Sequence, residues 1–456
     1  MSPDISRVSS REATPIAEKK IYIDNLGCYR RSLDATNLKE YFQSNDCRVV
    51  DDPRHADSII VITCAVFKAP EDNAIARIKE LREKYPGKVV VTGCLPAINA
   101  PRLNSVHDGA IIPIQEIRGI DKLFPDFKVR YDDIPDANTF TGLKYPAGAK
   151  EALLAFRYNS WNNYRKVLYY LIRRSATPFN IRISWGCRGS CTYCGIRKAV
   201  GVLRSKPTEQ CLAELDRGVA TGVQSFPLLA DDLGAYGMDV GSDLPNLIDA
   251  MLNRHPHISL TLNDLHPRWM IQYGDRLLPH IASGRITEVW CPAQSGSDRI
   301  LGLMRRFNGA RAARDALLSI KSASPGCLIH SHLICGFPSE TEGDWEQSLA
   351  LIKESKVDMV LVFPYMKAAG SKAASMAEHV DPETVRDRLK RGRRYFRENG
   401  VAAMFYDVPA EPNERSWAAT NAEALLSRPT EKVLGAVASA LAWRASTSSA
   451  RTSRRV

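Results

Sequence analysis

Apolar residues recur along this chain in short continuous runs separated by longer amphipathic stretches. An alternating run begins at Ile21 and leads into Asn25-Leu-Gly-Cys28, and residues 58–64 (SIIVITC) and 88–94 (KVVVTGC) read as buried strands. Between them, residues 32–45 and 71–84 repeat their apolar positions at helical spacing. Strands alternating with helices predict a parallel sheet covered by helices. The first domain is therefore a flavodoxin-like α/β domain over residues 20–128. The same alternation returns after residue 180, with apolar strands expected at 226–230, 258–262, 288–291, 328–335 and 359–363. About six βα units predict a partial (β/α)6 barrel over 177–370.

Three further segments break the pattern. Residues 1–19 are polar and are expected to form a disordered leader. Residues 129–176 mix Pro, Gly and Asp with aromatics and read as a linker carrying one helix. Residues 371–456 read as a helical, Arg-rich tail with a low-complexity, disordered end.

Composition narrows the class. The chain has 456 residues, enough for two or three cores. No apolar run reaches membrane-spanning length, and the N-terminus has no apolar signal core, so a cytoplasmic protein that does not enter a membrane is expected. The formal net charge of +11 fits a polyanionic partner such as RNA, or simply an Arg-rich surface. The chain carries 11 cysteines. In a reducing compartment, clustered cysteines more often serve metal or redox chemistry than disulfides.

Cys187, Cys191 and Cys194 are spaced C-x3-C-x2-C on a loop after a strand. Three thiolates so spaced can wrap one face of an iron–sulfur cubane and leave one iron open. A structural zinc site is the alternative, though it would favour four ligands. Gly186, Gly189 and Gly195 allow a tight loop, and Tyr193 is placed to pack beside a cofactor. Asp231, Asp232, Gln294, Ser295 and Gly336 fall at predicted barrel-strand ends, where barrel enzymes place their chemistry. Tyr193, Gly195, Asp231, Gln294 and Ser295 are the candidates for cofactor contact, with helix capping the alternative for the aspartates. Arg204 is a candidate partner for a carboxylate or phosphate. His266, His330 and His332 read as ordinary polar residues, and Cys47, Cys211, Cys291, Cys327 and Cys335 as small buried ones.

The ordered motifs together resemble the radical S-adenosylmethionine (SAM) methylthiotransferases. Asn25-Leu-Gly-Cys28, Ile62-Thr-Cys64 and Thr92-Gly-Cys94 resemble that family's three N-terminal cysteine positions. The Cys191-Thr-Tyr-Cys194 loop, Arg204-Ser-Lys-Pro207, the segment from Ala230 to Gly237, Pro292-Ala-Gln-Ser295-Gly-Ser297, Gly336-Phe-Pro-Ser-Glu340-Thr341 and Phe363-Pro-Tyr365 resemble its barrel motifs. The resemblance implies two [4Fe–4S] clusters, one on Cys187, Cys191 and Cys194 that binds SAM, and an auxiliary one on Cys28, Cys64 and Cys94 that carries sulfur. It also implies 5′-deoxyadenosyl radical chemistry at an unactivated C–H bond and an electron donor such as flavodoxin or ferredoxin. Taken without the resemblance, Cys28, Cys64 and Cys94 read more readily as small buried residues at strand ends than as cluster ligands.

Two departures bear on substrate handling. The family's M-N-R triplet reads Met304-Arg305-Arg306, and no run of five alternating strands follows Tyr365. A tRNA, a peptide and a small metabolite all remain open as substrates, as does a non-catalytic RNA-binding iron–sulfur protein. A monomer is expected.

Overall fold

The computed structural model describes residues 18–140, 163, 166–167 and 179–406, apart from 67, 307 and 308. The expected leader, most of the linker helix and the chain end after residue 406 lie outside the described residues. The described residues up to 140, with Lys198–Gly201 and Ala368–Gly370, form one compact unit; the others form a second.

The first unit is built on a five-stranded sheet among the described residues. Its strands are β1 (Lys20–Asn25), β2 (Arg48–Val50), β3 (Ser58–Thr63), β4 (Val89–Gly93) and β5 (Ile111–Pro113). All pair in parallel, in the order β2-β1-β3-β4-β5. This is the flavodoxin-like order, with its switch point between β1 and β3. Helices α1 (Tyr29–Ser44) and α2 (Lys68–Lys84) cover the sheet. Strand β3 is apolar from Ile59 to Ile62 because both faces are buried. Ile60 and Ile62 join Leu38, Tyr41 and Phe42 of α1, while Ile59 and Val61 join Ile75, Ile78 and Leu81 of α2.

The first residues of the stretch expected as a linker, from 129, are fastened to α1 and its end. Asn45 exchanges hydrogen bonds with the backbone of Val129, and Asn37 holds Asp136 and Ala137. A polar segment looks like a linker when its anchors are 84 to 100 residues away in sequence.

The second unit carries a seven-stranded parallel sheet among the described residues, in the order β14-β13-β12-β11-β10-β9-β6. These strands are β6 (Ile181–Arg182), β9 (Ser225–Leu229), β10 (Ser259–Leu262), β11 (Ile286–Trp290), β12 (Leu328–Cys335), β13 (Met359–Pro364) and β14 (Ala402–Phe405). A small antiparallel pair, β7 (Ser184–Trp185) and β8 (Arg204–Ser205), interrupts the run. Helices α3 (Thr208–Ala220), α4 (Leu244–Arg254), α5 (Pro267–Ala282), α6 (Asp298–Leu303), α7 (Ala310–Ala323), α8 (Glu342–Glu354) and α9 (Pro382–Glu398) follow the strands. Leu260, Val289, Ile329, Leu333, Val360 and Val362 pack against helix residues such as Leu247, Leu277, Leu317 and Ile352.

The described part of the tail is thus not helical alone. After α9, β14 pairs in parallel with β13 and adds a seventh strand to the six expected. The stretch Ala402-Ala-Met-Phe405 is too short for period to distinguish strand from helix. Only its pairing with β13 decides.

Candidate functional site

The cysteine loop leaves the β7–β8 hairpin through Gly186, which has φ +79°. A Cβ there would lie 1.9 Å from the Val202 carbonyl oxygen, so only glycine lets the strand turn at this point. Its N–H donates to Asp231 Oδ2 at 3.0 Å. The Gly189 N–H donates to Cys187 Sγ at 3.1 Å, and the Ile196 N–H to Cys194 Sγ at 3.4 Å. A Cβ on Gly189 would stand 3.1 Å from Cys187 Sγ and 3.8 Å from Cys191 Sγ, so the loop bends its backbone close to two sulfurs. Thr192 anchors the loop. Its N–H and hydroxyl donate to Met304 and Leu303 carbonyls, and its own carbonyl accepts from Ala373 N–H.

Burial pushes the Cys187 thiol up to about 12, with the neighbouring Asp232 carboxylate adding to the effect. Burial likewise raises Cys194 to about 11. Without a cation these thiols stay protonated; iron binding reverses that preference. Arg306 Nη1 lies 3.8 Å from Cys191 Sγ, and its Nε is buried without a hydrogen-bond partner. Backbone N–H groups on the sulfurs, a soft donor set and an orphaned cationic N–H beside it fit an anionic iron–sulfur cluster. No trio of His, Cys, Asp or Glu among the described residues converges on a single ion. A cubane spreads its thiolates over separate irons and needs no such convergence.

The expected cofactor contacts divide. Gln294 stands half-exposed at the end of β11, held at φ +72° with its N–H on His332 O and its carbonyl accepting from Ile334 N–H. Ser295, expected beside it, is 1% exposed. Its hydroxyl meets Ser348 Oγ at 3.2 Å and accepts from Ser297 N–H, so it packs the strand end and does not line an open surface. The left-handed turn at Gln294 sends the chain inward. There a Cβ on Gly296 would come within 2.2 Å of the Gln347 carbonyl oxygen.

Asp231 and Asp232 do not cap a helix with their side chains. Asp231 braces Gly186. Asp232 accepts from Trp269 Nε1 at 2.7 Å and Arg268 Nη2 at 3.1 Å, and lies 3.7 Å from Cys187 Sγ. Tyr193 packs against a cluster containing Ile300, Met304, Ile334 and Phe337, and its hydroxyl accepts from Arg306 Nη1 at 2.9 Å. Gly195 is buried directly after Cys194. Arg204 lies over the Trp185 ring, 4.9 Å from its centroid.

His266 caps α5 by accepting from Arg268 N–H. His330 stacks on Trp290 and neighbours Glu288, and His332 meets Trp290 and Phe363 edge-on.

The Gly336 turn after β12 is locked from outside the motif. Gly336 N–H donates to Glu340 Oε2 at 2.6 Å, and Arg388 of α9 donates to both the carboxylate and the backbone carbonyl of Glu340. Burial still pushes Glu340 up to about 7. Sequence reasoning missed Arg388, which lies inside an Arg-dense run read only as a helical tail, and noted Arg306 only as part of a variant triplet.

In the first unit, Cys28 follows β1, Cys64 follows β3 and Cys94 follows β4. These are neighbouring strands that end beside the switch point, where such sheets place their ligands. Cys94 N–H donates to Thr63 O, next to Cys64. Burial pushes Cys64 up to about 11, and Cys28 is near enough to add to the shift, while Arg31 opposes it. Cys64 suits a cation for the same reason as Cys187 and Cys194. The five remaining cysteines are buried.

Comparison with known proteins agrees with this architecture. Residues 181–352 match the Radical SAM superfamily, and residues 20–112 match the family described as Uncharacterized protein family UPF0004. The chain is 28% identical over 356 residues to a probable threonylcarbamoyladenosine tRNA methylthiotransferase of Pyrococcus horikoshii, covering 78% of this chain and 79% of that protein. It is 27% identical over 391 residues to the ribosomal protein uS12 methylthiotransferase RimO of Vibrio vulnificus, covering 84% and 78%. Among solved structures, the radical SAM methyltransferase TsrM of Kitasatospora setae, with tryptophan and a SAM analogue, shares the fold at TM-score 0.50 and 13% identity, over 76% of this chain and 73% of that one. A parallel partial barrel with a glycine-bounded three-cysteine loop soon after its first strand, in a segment that matches the Radical SAM superfamily, is the arrangement of a radical SAM enzyme. With the UPF0004 match ahead of it and both kinds of relative aligned over most of their length, the chain is a radical SAM enzyme similar to the methylthiotransferases. The cofactors of that family are SAM and two [4Fe–4S] clusters. Among the described residues no helix is long and apolar enough to cross a membrane.

Proposed function

We propose that this enzyme inserts a methylthio group at an unactivated C–H bond of tRNA. The observation that carries the reading is the Cys187–Cys191–Cys194 loop, where three half-buried thiols share one turn fastened at Gly186 and Thr192. These cysteines would hold the SAM-binding cluster, and Cys28, Cys64 and Cys94 the auxiliary one. When bound, these groups supply a 5′-deoxyadenosyl radical for hydrogen abstraction and a sulfur atom for methylation and transfer, with electrons from a flavodoxin- or ferredoxin-like donor.

The chain's own residues position and shield. Asp231 holds the loop entrance, Gln294 presents its side chain at a barrel-strand end, and Asp232 with Trp269 and Arg268 closes the side next to Cys187. Support for an RNA target comes from α9. Arg386, Lys390, Arg394 and Arg397 are exposed at i, i+4, i+8 and i+11 and therefore share one helix face. Such a stripe is complementary to a phosphate backbone.

The test is iron and sulfide content after anaerobic reconstitution. About eight irons per chain are expected, falling to about four when Cys28, Cys64 and Cys94 are all changed to Ala. That triple variant should still cleave SAM to 5′-deoxyadenosine but form no methylthio product. About four irons in the unchanged protein, unaffected by the triple substitution, would remove the auxiliary cluster.

A further inference from the structure

Among the described residues, Arg306 is the arginine whose guanidinium reaches both a cysteine of the loop and the chain just after β11. Arg305, at φ +51°, turns the chain after α6 so that Arg306 points back towards the loop. Its Nη1 donates to Tyr193 Oη at 2.9 Å and lies 3.8 Å from Cys191 Sγ, while its Nη2 donates to Pro292 O at 2.7 Å. One planar group is thus fixed by two strong contacts and sets a permanent positive charge against one of the three thiols. A lysine could keep the charge but could not span these three acceptors from one rigid plane.

We propose that Arg306 is a positioning residue that raises the reduction potential of the cluster held by Cys187, Cys191 and Cys194, an inference that rests on the reading of those cysteines as cluster ligands. Accepting an electron adds one negative charge to the cluster. A cation hydrogen-bonded to a ligand sulfur, in surroundings of low polarity, favours the reduced form more than the oxidised one. On the other flank, Asp232 beside Cys187 acts in the opposite sense but is itself engaged by Arg268 and Trp269. The field at the cluster is therefore lopsided, positive at Cys191. The same guanidinium ties the cysteine loop to Pro292, so the charge cannot drift from the sulfur.

The experiment is an EPR-monitored redox titration of the anaerobically reconstituted enzyme, without added SAM. At fixed solution potential, Arg306→Gln should show a reduced-to-oxidised ratio about tenfold below that of the unchanged enzyme, equivalent to a midpoint about 59 mV lower for a one-electron couple. Arg306→Lys should lower the ratio about threefold. Tyr193→Phe, which keeps the contact with Cys191, should stay within about twofold. An Arg306→Gln protein with full iron and an unchanged midpoint overturns the proposal, including the case where it binds SAM more weakly, since the guanidinium would then serve the cofactor and not the cluster. If Arg306→Gln fails to hold iron, Arg306→Lys decides: an unchanged midpoint there rejects the idea. A chain that forms no reducible cluster at all would instead refute the reading of Cys187, Cys191 and Cys194.

Discussion

At residue scale, the cysteine loop depends on a backbone shape that one added carbon destroys. In Gly186→Ala, the φ of +79° and the 1.9 Å approach to Val202 O force the loop to move. Iron bound at this loop should fall by more than half, as read by metal analysis and visible absorbance. Gly302→Ala, with open space around the new methyl, should bind iron normally. His266 gives a pH-dependent case. Burial, helped by Arg306 and Arg268, pushes it down to about 2, so it stays neutral and keeps accepting the Arg268 N–H. The unfolded chain takes up a proton below about 6.5, and the folded chain does not. Stability from this group is therefore complete above pH 6.5 and is lost as pH falls, by roughly 1.4 kcal/mol per pH unit. His266→Asn retains a cap acceptor but cannot titrate. The difference in melting midpoint between it and the unchanged enzyme should narrow or reverse between pH 7.5 and 5.5; a constant difference would mean that His266 titrates normally.

At the scale of elements, α9 matters because its buried face holds a turn of the barrel. Arg388 is 5% exposed and pairs with Glu340, which fixes Gly336 N–H. Arg388→Ala leaves a buried carboxylate uncompensated and should cost about 3–5 kcal/mol at pH 8. Since burial already holds Glu340 near 7, the carboxyl can protonate, and the cost should shrink at pH 6. The double variant Arg388→Met with Glu340→Gln should recover much of the loss at pH 8. Denaturation midpoints at the two pH values measure both effects; equal losses at pH 6 and 8 would show that the pair is not the cause. Strand β14 belongs to the same lesson. The Arg-dense segment before it reads as a helical tail, yet one face of it, Val385, Arg388, Leu389, Gly392 and Phe396, is buried.

At the scale of the whole molecule, the exposed basic face of α9 sets the substrate prediction. Replacing Arg386, Lys390, Arg394 and Arg397 together with Gln should weaken tRNA binding and reduce the slope of log affinity against log salt by roughly 3. Mass spectrometry of tRNA hydrolysates from a deletion strain should show loss of a methylthio-modified adenosine. Unchanged tRNA would move the target to a peptide or small metabolite. The catalytic class was legible from local signals, because C-x3-C-x2-C, its glycines and the strand-end motifs each sit within a few residues of one another. The alternation of strands and helices also determined a parallel α/β fold, since burial on both faces writes continuous apolar runs into the chain. Tertiary structure alone decided what depends on distance along the chain. The sheet order puts Cys28, Cys64 and Cys94 on neighbouring strand ends. The turn at Gln294 sends Ser295 inward. Arg306 and Arg388 meet partners 113 and 48 residues away. Such contacts leave no periodic trace, because a side chain's partner across the fold is set by where the backbone carries it, and an isolated arginine looks the same in sequence whether it faces water or a thiol.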